Sequence, residues 1–494
     1  MIKRQELKQK LEPFIYESLQ KDEYKIIEFN AIKLLTWNRF DLAFKLSYLD
    51  NINVYPSLAN EIYRSDIKAQ TLGNFIELGN EDNKNSFENY FQQFKHIHED
   101  IKKNGFLKEK TLIPLSADGG IINGAHRVAS AIHLNKEVAT IVTEQKTMVA
   151  DYQYFFERDV PIEYLDIVTQ KFIQYSNDNV HIAFLWPSGD GSKDEAEGLF
   201  SNIVYKKKID LNPKGAFNLL FELYKHMDWI GKKEDGYKGI KKKLIECFPN
   251  FEAFQVIVFQ SEDLKKVQAV KEQVRNIYKI GYSSIHITDT KEEAIRISQL
   301  LFNENSLHFL NHSEPYKFPE LYEKLNEFKR FIVENDIDNN DVVLDGSLIL
   351  TLYGIRKNID VDFLLLENSK IVYPNENFET HDSELQYHGK KKVELIYDNK
   401  NNFTFHGFKF ISFSQLYAMK TQRNEEKDRN DCLVMRASLN GKSYRKKMAQ
   451  LKQKMFYMKI KLNRFSMATT IKLLTLTGIY IPVRFVYRKI KGRK

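Results

Sequence analysis

Apolar positions along this 494-residue chain change their period from block to block. In KNSFENYFQQFKHIHEDIKKNGF, residues 84–106, Phe, Tyr and Ile recur every three or four positions and a glycine ends the run, as in an amphipathic helix with a C-terminal stop. Residues 1–110 read mainly as helices of this kind. The next stretch, TLIPLSADGGIINGAHRVASAIHLNKEVATIV at 111–142, alternates quickly between strand-like and helix-like pieces. It asks for a strand in LIPL, a turn at Gly119-Gly120, a short strand IIN, and a tight turn at Gly124 into a helix beginning near His126. From about 160 to 312, VHIAFLWP, FQVIVFQS and SSIHITDT are strand candidates between charged helical stretches such as LKKVQAVKEQVRNIYKIG. Thr290 with Glu293 reads there as a capping box. The two prolines of HSEPYKFPE mark the next boundary. Beyond it, VVLDGSLILTLYGIRKNIDVDFLLL at 342–366 reads strand, Gly-Ser turn, helix, strand.

The pattern predicts an α/β multidomain protein with boundaries near 158, 314 and 440. Composition agrees, with 43% hydrophobic and 28% charged residues, a globular balance. Charge refines the picture. The net +8 hides an asymmetry: residues 441–494 carry sixteen Lys or Arg and no Asp or Glu, so residues 1–440 carry 58 basic against 66 acidic groups, a net of −8. The tail interleaves its cations with Met, Phe, Tyr, Leu and Ile, which suits an anionic membrane surface, packing on an acidic neighbour, or RNA. No run reaches the roughly 20 apolar residues of a spanning helix. Cys247 and Cys432 are far apart and follow no CxxC pattern, as in a reducing compartment. The charged N-terminal stretch lacks a signal-peptide core, so a cytoplasmic protein is expected, peripheral at the inner face of the membrane through its tail.

Candidate chemistry concentrates in two glycine turns. In a strand, residues two apart share a face, so Asp360 and Asp362 should project together from the apolar run VDFLLL. Two adjacent carboxylates repel unless a cation lies between them, which points to Mg²⁺ or Mn²⁺. The turn Gly346-Ser347 ahead of them can admit a phosphate at a helix start. This order, Gly-Ser and then Asp-x-Asp, resembles the nucleotidyltransferase superfamily at about 320–436. The resemblance implies Lys420 and the Lys427-Asp428-Arg429-Asn430-Asp431 element on following helices as nucleotide-binding parts, and a third carboxylate on a later strand. Glu394 is the candidate for that catalytic and metal-binding position, with Asp398 and Asp382 behind it.

In the second turn, Arg127 would sit at a helix N-terminus, where the dipole and free amides favour a phosphate. Asn123, Gly124, His126 and Arg127 resemble the phosphate-binding turn of the ParB/sulfiredoxin fold at about 50–145. Ala125 stands where sulfiredoxins carry their reactive Cys, so the resemblance implies nucleotide binding or small-molecule phosphorylation, with Glu61 or Glu77 as the base. No helix-turn-helix or basic stripe follows, and DNA is not an expected partner. In the middle block, His286 and Asp289 are catalytic candidates, and the Gly/Ser-rich WPSGDGSKDE at 186–195 is a loop that could approach a phosphate but matches neither a Walker A loop nor a Rossmann fingerprint.

Together these parts imply a bifunctional, Mg²⁺-dependent transferase that moves a nucleotidyl group from ATP or CTP to a small phosphorylated or hydroxyl acceptor. The arrangement resembles multidomain bacterial capsule and surface-polysaccharide proteins. Two other classes fit the same residues: a toxin or defence nucleotidyltransferase acting on RNA or protein, and a non-catalytic, nucleotide-gated membrane scaffold.

Overall fold

The structure is a computed structural model that describes all residues except 78–83, 190–192, 262, 359, 368–377, 440–442 and 484–494. It is mixed α/β, and each of its three larger sheets falls within one of the expected blocks.

In the first block, strands β1 (Ile27–Asn30), β2 (Ile113–Leu115) and β3 (Glu137–Val142) form a sheet in the order β1-β3-β2, antiparallel and then parallel. Helices α1 (Asp41–Asn51), α2 (Pro56–Gln70), α3 (Phe87–Asn104) and α4 (Ala125–His133) accompany it. α3 ends at Gly105, φ +74°, where the sequence placed its stop. Of the expected strand IIN, Ile121 alone makes a bridge, to Leu115.

Helix α5 (Ile162–Tyr175) leads into an antiparallel sheet of β4 (Val180–Leu185), β5 (Ile203–Ile209), β6 (Phe254–Gln260) and β7 (Ile285–Ile287), ordered β5-β6-β4-β7. Helices α6 (Pro213–Tyr224), α7 (Lys238–Cys247), α8 (Leu264–Tyr278) and α9 (Lys291–Leu301) complete the block. β5, IVYKKKI, escaped the sequence reading because its lysine run reads as solvated. Lys on an edge strand is a common way to blunt open pairing groups, and Lys206 and Lys207 are paired with Glu197 and Asp166 at 3.1 and 2.7 Å.

In the third block, helix α10 (Glu320–Glu334) precedes β8 (Val342–Asp345), α11 (Leu348–Leu352), β9 (Val361–Leu365), β10 (Phe378–Thr380), α12 (Lys392–Tyr397), β11 (Asn402–Phe405) and β12 (Phe408–Ile411). The sheet runs β10-β9-β8-β12-β11, with β8 antiparallel to β9 and β9 parallel to β10. One face is dry: Phe328 and Phe331 of α10 pack with tilted rings at 5.2 and 5.3 Å on Phe363 and Phe378, each such buried ring contributing about 1.5–3 kcal/mol. That packing fixes the strands that carry the acidic residues. α13 (Phe413–Arg423) and α14 (Glu426–Leu439) follow, then the long helix α15 (Ser443–Leu476). On α15, Met448, Leu451, Met455, Met458, Leu462 and Phe465 recur every three or four residues and are all exposed. Among the described residues no helix is long and apolar enough to cross a membrane. Buried apolar residues of all three blocks join in one continuous core.

Candidate active site

The strand β8 ends in Asp345, and the chain then turns at Gly346, φ +66°, into Ser347 and α11. Antiparallel register sets Asp345 opposite Asp362. A Cβ on Gly346 would lie 2.1 Å from Asp362 Oδ2, so glycine is required there both for its backbone conformation and for the close approach of the turn to that carboxylate. Asp360 lies one residue ahead of β9 and is exposed. On the far side of β9, Glu379 of β10 pairs in register with Asp362.

Charge accumulates at Asp362. Burial, together with Asp345, Asp360 and Glu379, pushes its carboxyl up to about 6, against the opposing effect of His381. Behind it, Asp345 is fully buried, and its Oδ2 accepts hydrogen bonds from His381 Nδ1 at 2.8 Å and His388 Nε2 at 2.9 Å. Burial works against the Asp345 carboxylate, but the two imidazoles hold its pKa far below the usual range. His381 moves the other way: burial lowers it, and Asp345, Asp362 and Glu384 outweigh that and raise it. Among the described residues Asp345 Oδ1 is buried without a hydrogen-bond partner.

These features fit a divalent cation. Mg²⁺ is commonly held by one or two carboxylates together with substrate phosphates, a role open to Asp360 and Asp362. No group of three His, Cys, Asp or Glu side chains among the described residues is placed to cage a metal.

The expectations for Glu394 and Lys420 require correction. Glu394 lies on no strand. KKVELIY folds as the short helix α12 because Leu395 and Ile396 bury against the sheet, and Glu394 accepts from the Lys391 amide at 2.9 Å as a helix cap. The alternates are also engaged elsewhere, Asp398 with the Lys400 amide at 2.9 Å and Asp382 with Lys392 at 2.9 Å. The strand carboxylate beside Asp362 is Glu379. Lys420 is buried, 3.1 Å from Asp428 and 2.9 Å from Asp431, so its ammonium is already neutralised. Arg423 pairs with Asp428 at 2.8 Å, and Arg356 grips Asp431 through two bonds of 3.0 and 3.1 Å. Through Arg356 this buried network anchors the loop between α11 and β9, which carries Asp360. Lys427 pairs with Glu425 at 3.2 Å, both side chains about half exposed. Asp428 and Asp431 of the Lys-Asp-x-x-Asp element therefore form a buried brace with Lys420.

Sequence reasoning missed Asp345, His381, His388 and Glu379. Asp345 carried the same signal as the Asp pair, a carboxylate in an apolar strand, and was passed over because it precedes the glycine. The histidines had no sequence signal, since only the fold brings 381 and 388 to residue 345.

The second turn is built alike. Gly124, φ +97°, caps α4, and a Cβ there would meet Arg127 Nη2 at 2.9 Å. The half-buried Arg127 guanidinium donates to Thr111 Oγ1, and at 3.4 Å to Leu112 O and Asn123 Oδ1, all of them neutral acceptors. Burial depresses its pKa, with Glu12 and Glu77 acting in opposition. His126 turns inward instead. It bonds Tyr63 Oη at 2.8 Å and packs against Phe94 at 4.8 Å, while burial and nearby Lys45 hold its imidazole well below the ordinary range. Beneath the turn, Lys45 joins Asp41 and Asp66 at 3.2 and 2.7 Å, and Arg39 grips Asp41. Of the two proposed bases, Glu77 acts electrostatically on Arg127, whereas exposed Glu61 is bonded to Tyr164 at 2.9 Å. The loop 186–195 lies partly outside the described residues.

Compared with protein-family models, with curated proteins and with solved structures, the chain matches none of them.

Proposed function

We propose that the third block transfers a nucleotidyl group from a nucleoside triphosphate to a small phosphorylated or hydroxyl acceptor. The observation that carries this reading is the contact of the Gly346 turn with Asp362: a turn suited to phosphate stands against a carboxylate whose raised pKa calls for a cation. In this reading the amides at the start of α11 and the Ser347 hydroxyl take phosphate oxygens, and Asp360 with Asp362 hold Mg²⁺. The bound ion supplies charge neutralisation on the triphosphate. His381, its proton held by Asp345, places positive charge behind the two aspartates and keeps Asp362 available in its ionised form. Arg356 and the buried network on α13 and α14 keep the Asp360 loop in place. The Arg127 turn acts as a second phosphate-binding module, kinase-like or regulatory. The exposed apolar residues of α15, in a tail without a single acid, hold the protein at an anionic membrane surface, a position suited to surface-glycan assembly.

The test is pyrophosphate release by the full-length protein from ATP, CTP, GTP and UTP with Mg²⁺, against panels of sugar phosphates, polyols and amino alcohols. Release should depend on acceptor, fall to background in Asp360→Asn and Asp362→Asn, and fall about 10²-fold in Gly346→Ala, because the added methyl displaces Asp362. Undiminished release from Asp362→Asn would overturn the assignment.

A further inference from the structure

The middle block holds a cavity of about 550 Å³ between α7, α8 and the edge strand β7, within the usual range for small-molecule sites. Four cations line it, Lys242, Lys243, Lys271 and Arg275, against the single carboxylate of Glu246. The rest of the wall is largely aromatic and apolar.

The cations are differently committed. Lys243 is buried to 9% exposure, and its ammonium donates only to neutral oxygens, the Tyr282 carbonyl at 2.6 Å and Ser283 Oγ at 3.2 Å. Ser283 in turn donates to Glu246 at 2.8 Å, so that carboxylate is one residue removed from the ammonium. Arg275 pairs with Glu272 at 2.5 Å through Nη1, but its Nε is buried without a hydrogen-bond partner among the described residues, and its guanidinium lies 4.6 Å over the Tyr282 ring. Lys271 pairs with exposed Asp289 at 2.9 Å, and Lys242 with Glu246 at 3.9 Å. Positive charge thus exceeds negative at the wall, and one buried ammonium and one buried guanidine N–H have no anionic partner among the described residues. Burying charge in this way is costly unless an anion completes the site.

The rings set the remainder of the ligand. Trp229 and Tyr282 are 46% and 79% exposed, unusual for large aromatic side chains that have a core beside them. Tyr224 holds Trp229 at 5.2 Å and bonds His286 Nδ1 at 3.3 Å, while His286 Nε2 faces Glu293 at 3.2 Å. His286 therefore anchors the wall, and Asp289 belongs to the rim. The cavity is not set up for thiol chemistry: Cys247 beneath it is pushed up to about 12 by burial.

We propose that this cavity binds a nucleoside mono- or diphosphate, with the phosphate on Lys243 and Arg275 and the base against Trp229 and Tyr282. Cations beside flat aromatic faces suit that combination of charge and ring. The assignment stands on a different block from the nucleotidyl-transfer reading and does not depend on it.

The experiment uses the full-length chain carrying Asp362→Asn and Arg127→Gln, so that the other two candidate phosphate sites are disabled. Calorimetric titration with AMP, CMP, GMP and UMP and their diphosphates should show one site, weakened at least tenfold by Lys271→Gln with Arg275→Gln, two changes at the cavity wall that spare the core. Nucleotide should also quench tryptophan fluorescence, and Trp229→Phe should abolish that quench while calorimetric binding persists. Glucose 1-phosphate or inorganic phosphate binding as tightly as the nucleotides would overturn recognition of the ring. Absence of nucleotide binding, or binding unaffected by the paired substitution, would overturn the site.

Discussion

Two glycine turns in this molecule solve the same steric problem with opposite electrostatics. Gly346 and Gly124 both take positive φ at the entry to a helix, and at both a methyl group would strike the charged side chain that gives its site its chemistry, Asp362 in one and Arg127 in the other. The first turn faces carboxylates that repel each other, so its unmet requirement is a cation. The second faces a half-buried guanidinium whose hydrogen-bond acceptors among the described residues are neutral, an environment that suits an anion. Similar backbones therefore need not imply similar ligands: on the reading proposed above, the first turn takes a metal with its phosphate and the second a phosphate alone.

The largest effect should come from Asp345, which makes the first turn a closed electrostatic unit. Asp345→Ala removes a buried carboxylate from two imidazoles and should cost about 3–5 kcal/mol, read as a drop in the melting temperature of the full-length protein. The pH profile distinguishes this from simple loss of packing. Asp345 has a depressed pKa when folded, so its contribution is present above the unfolded value of about 4 and fades as pH falls below it. His381 has a raised one, so its contribution is present below about 6.5 and is lost as pH rises through its folded value. The penalty of Asp345→Ala should accordingly peak between those limits. A pH-independent penalty would mean that the histidines merely fill space.

Asp362 should behave in the opposite sense. Its carboxyl, held at about 6 by burial and neighbouring acids, disfavours the folded state increasingly as pH rises from about 4 to 6, and fully above that. Without divalent cation, Asp362→Asn should therefore stabilise the protein at pH 7.5 by on the order of 2 kcal/mol, with no difference from the parent near pH 4. Melting curves across pH 4–8 read this directly. A less stable Asn variant at pH 7.5 would make Asp362 a structural residue and remove the contrast between the turns.

The fold was legible where period and punctuation were strong. The Gly105 stop, β4, β6 and the strand-turn-helix-strand of the third block could all be read from spacing alone. It was illegible where tertiary context decided. The lysine-rich β5 is a strand because it pairs along β6, and KKVELIY is a helix because its apolar pair meets the sheet. The candidate site divides the same way. Gly346, Asp360 and Asp362 are near in sequence and carried a local signal, whereas His381 and His388 meet Asp345 only through the folded sheet. Lys420 shows the converse: a locally convincing nucleotide-binding lysine became part of a buried brace, because Asp428 and Asp431 face inward.

The smallest effect, and the most direct trial of the comparison, is ligand-dependent stabilisation at Arg127. A ligand at ten times its Kd stabilises the native state by about 1.4 kcal/mol, enough for a measurable shift in melting temperature. Inorganic phosphate without metal should raise the melting temperature of the parent protein and of Asp362→Asn alike, and Arg127→Gln should lose most of that shift. Mg²⁺ without phosphate should stabilise the parent and Arg127→Gln, and Asp362→Asn should lose that response. Such crossed losses follow only if each turn completes itself with its own ion. If either substitution removed both responses, the two turns would be halves of one site, with the phosphate of a single ligand on Arg127 and its metal on Asp362. The electrostatic opposition between them would then be complementarity, and the bifunctional reading would give way to one composite centre.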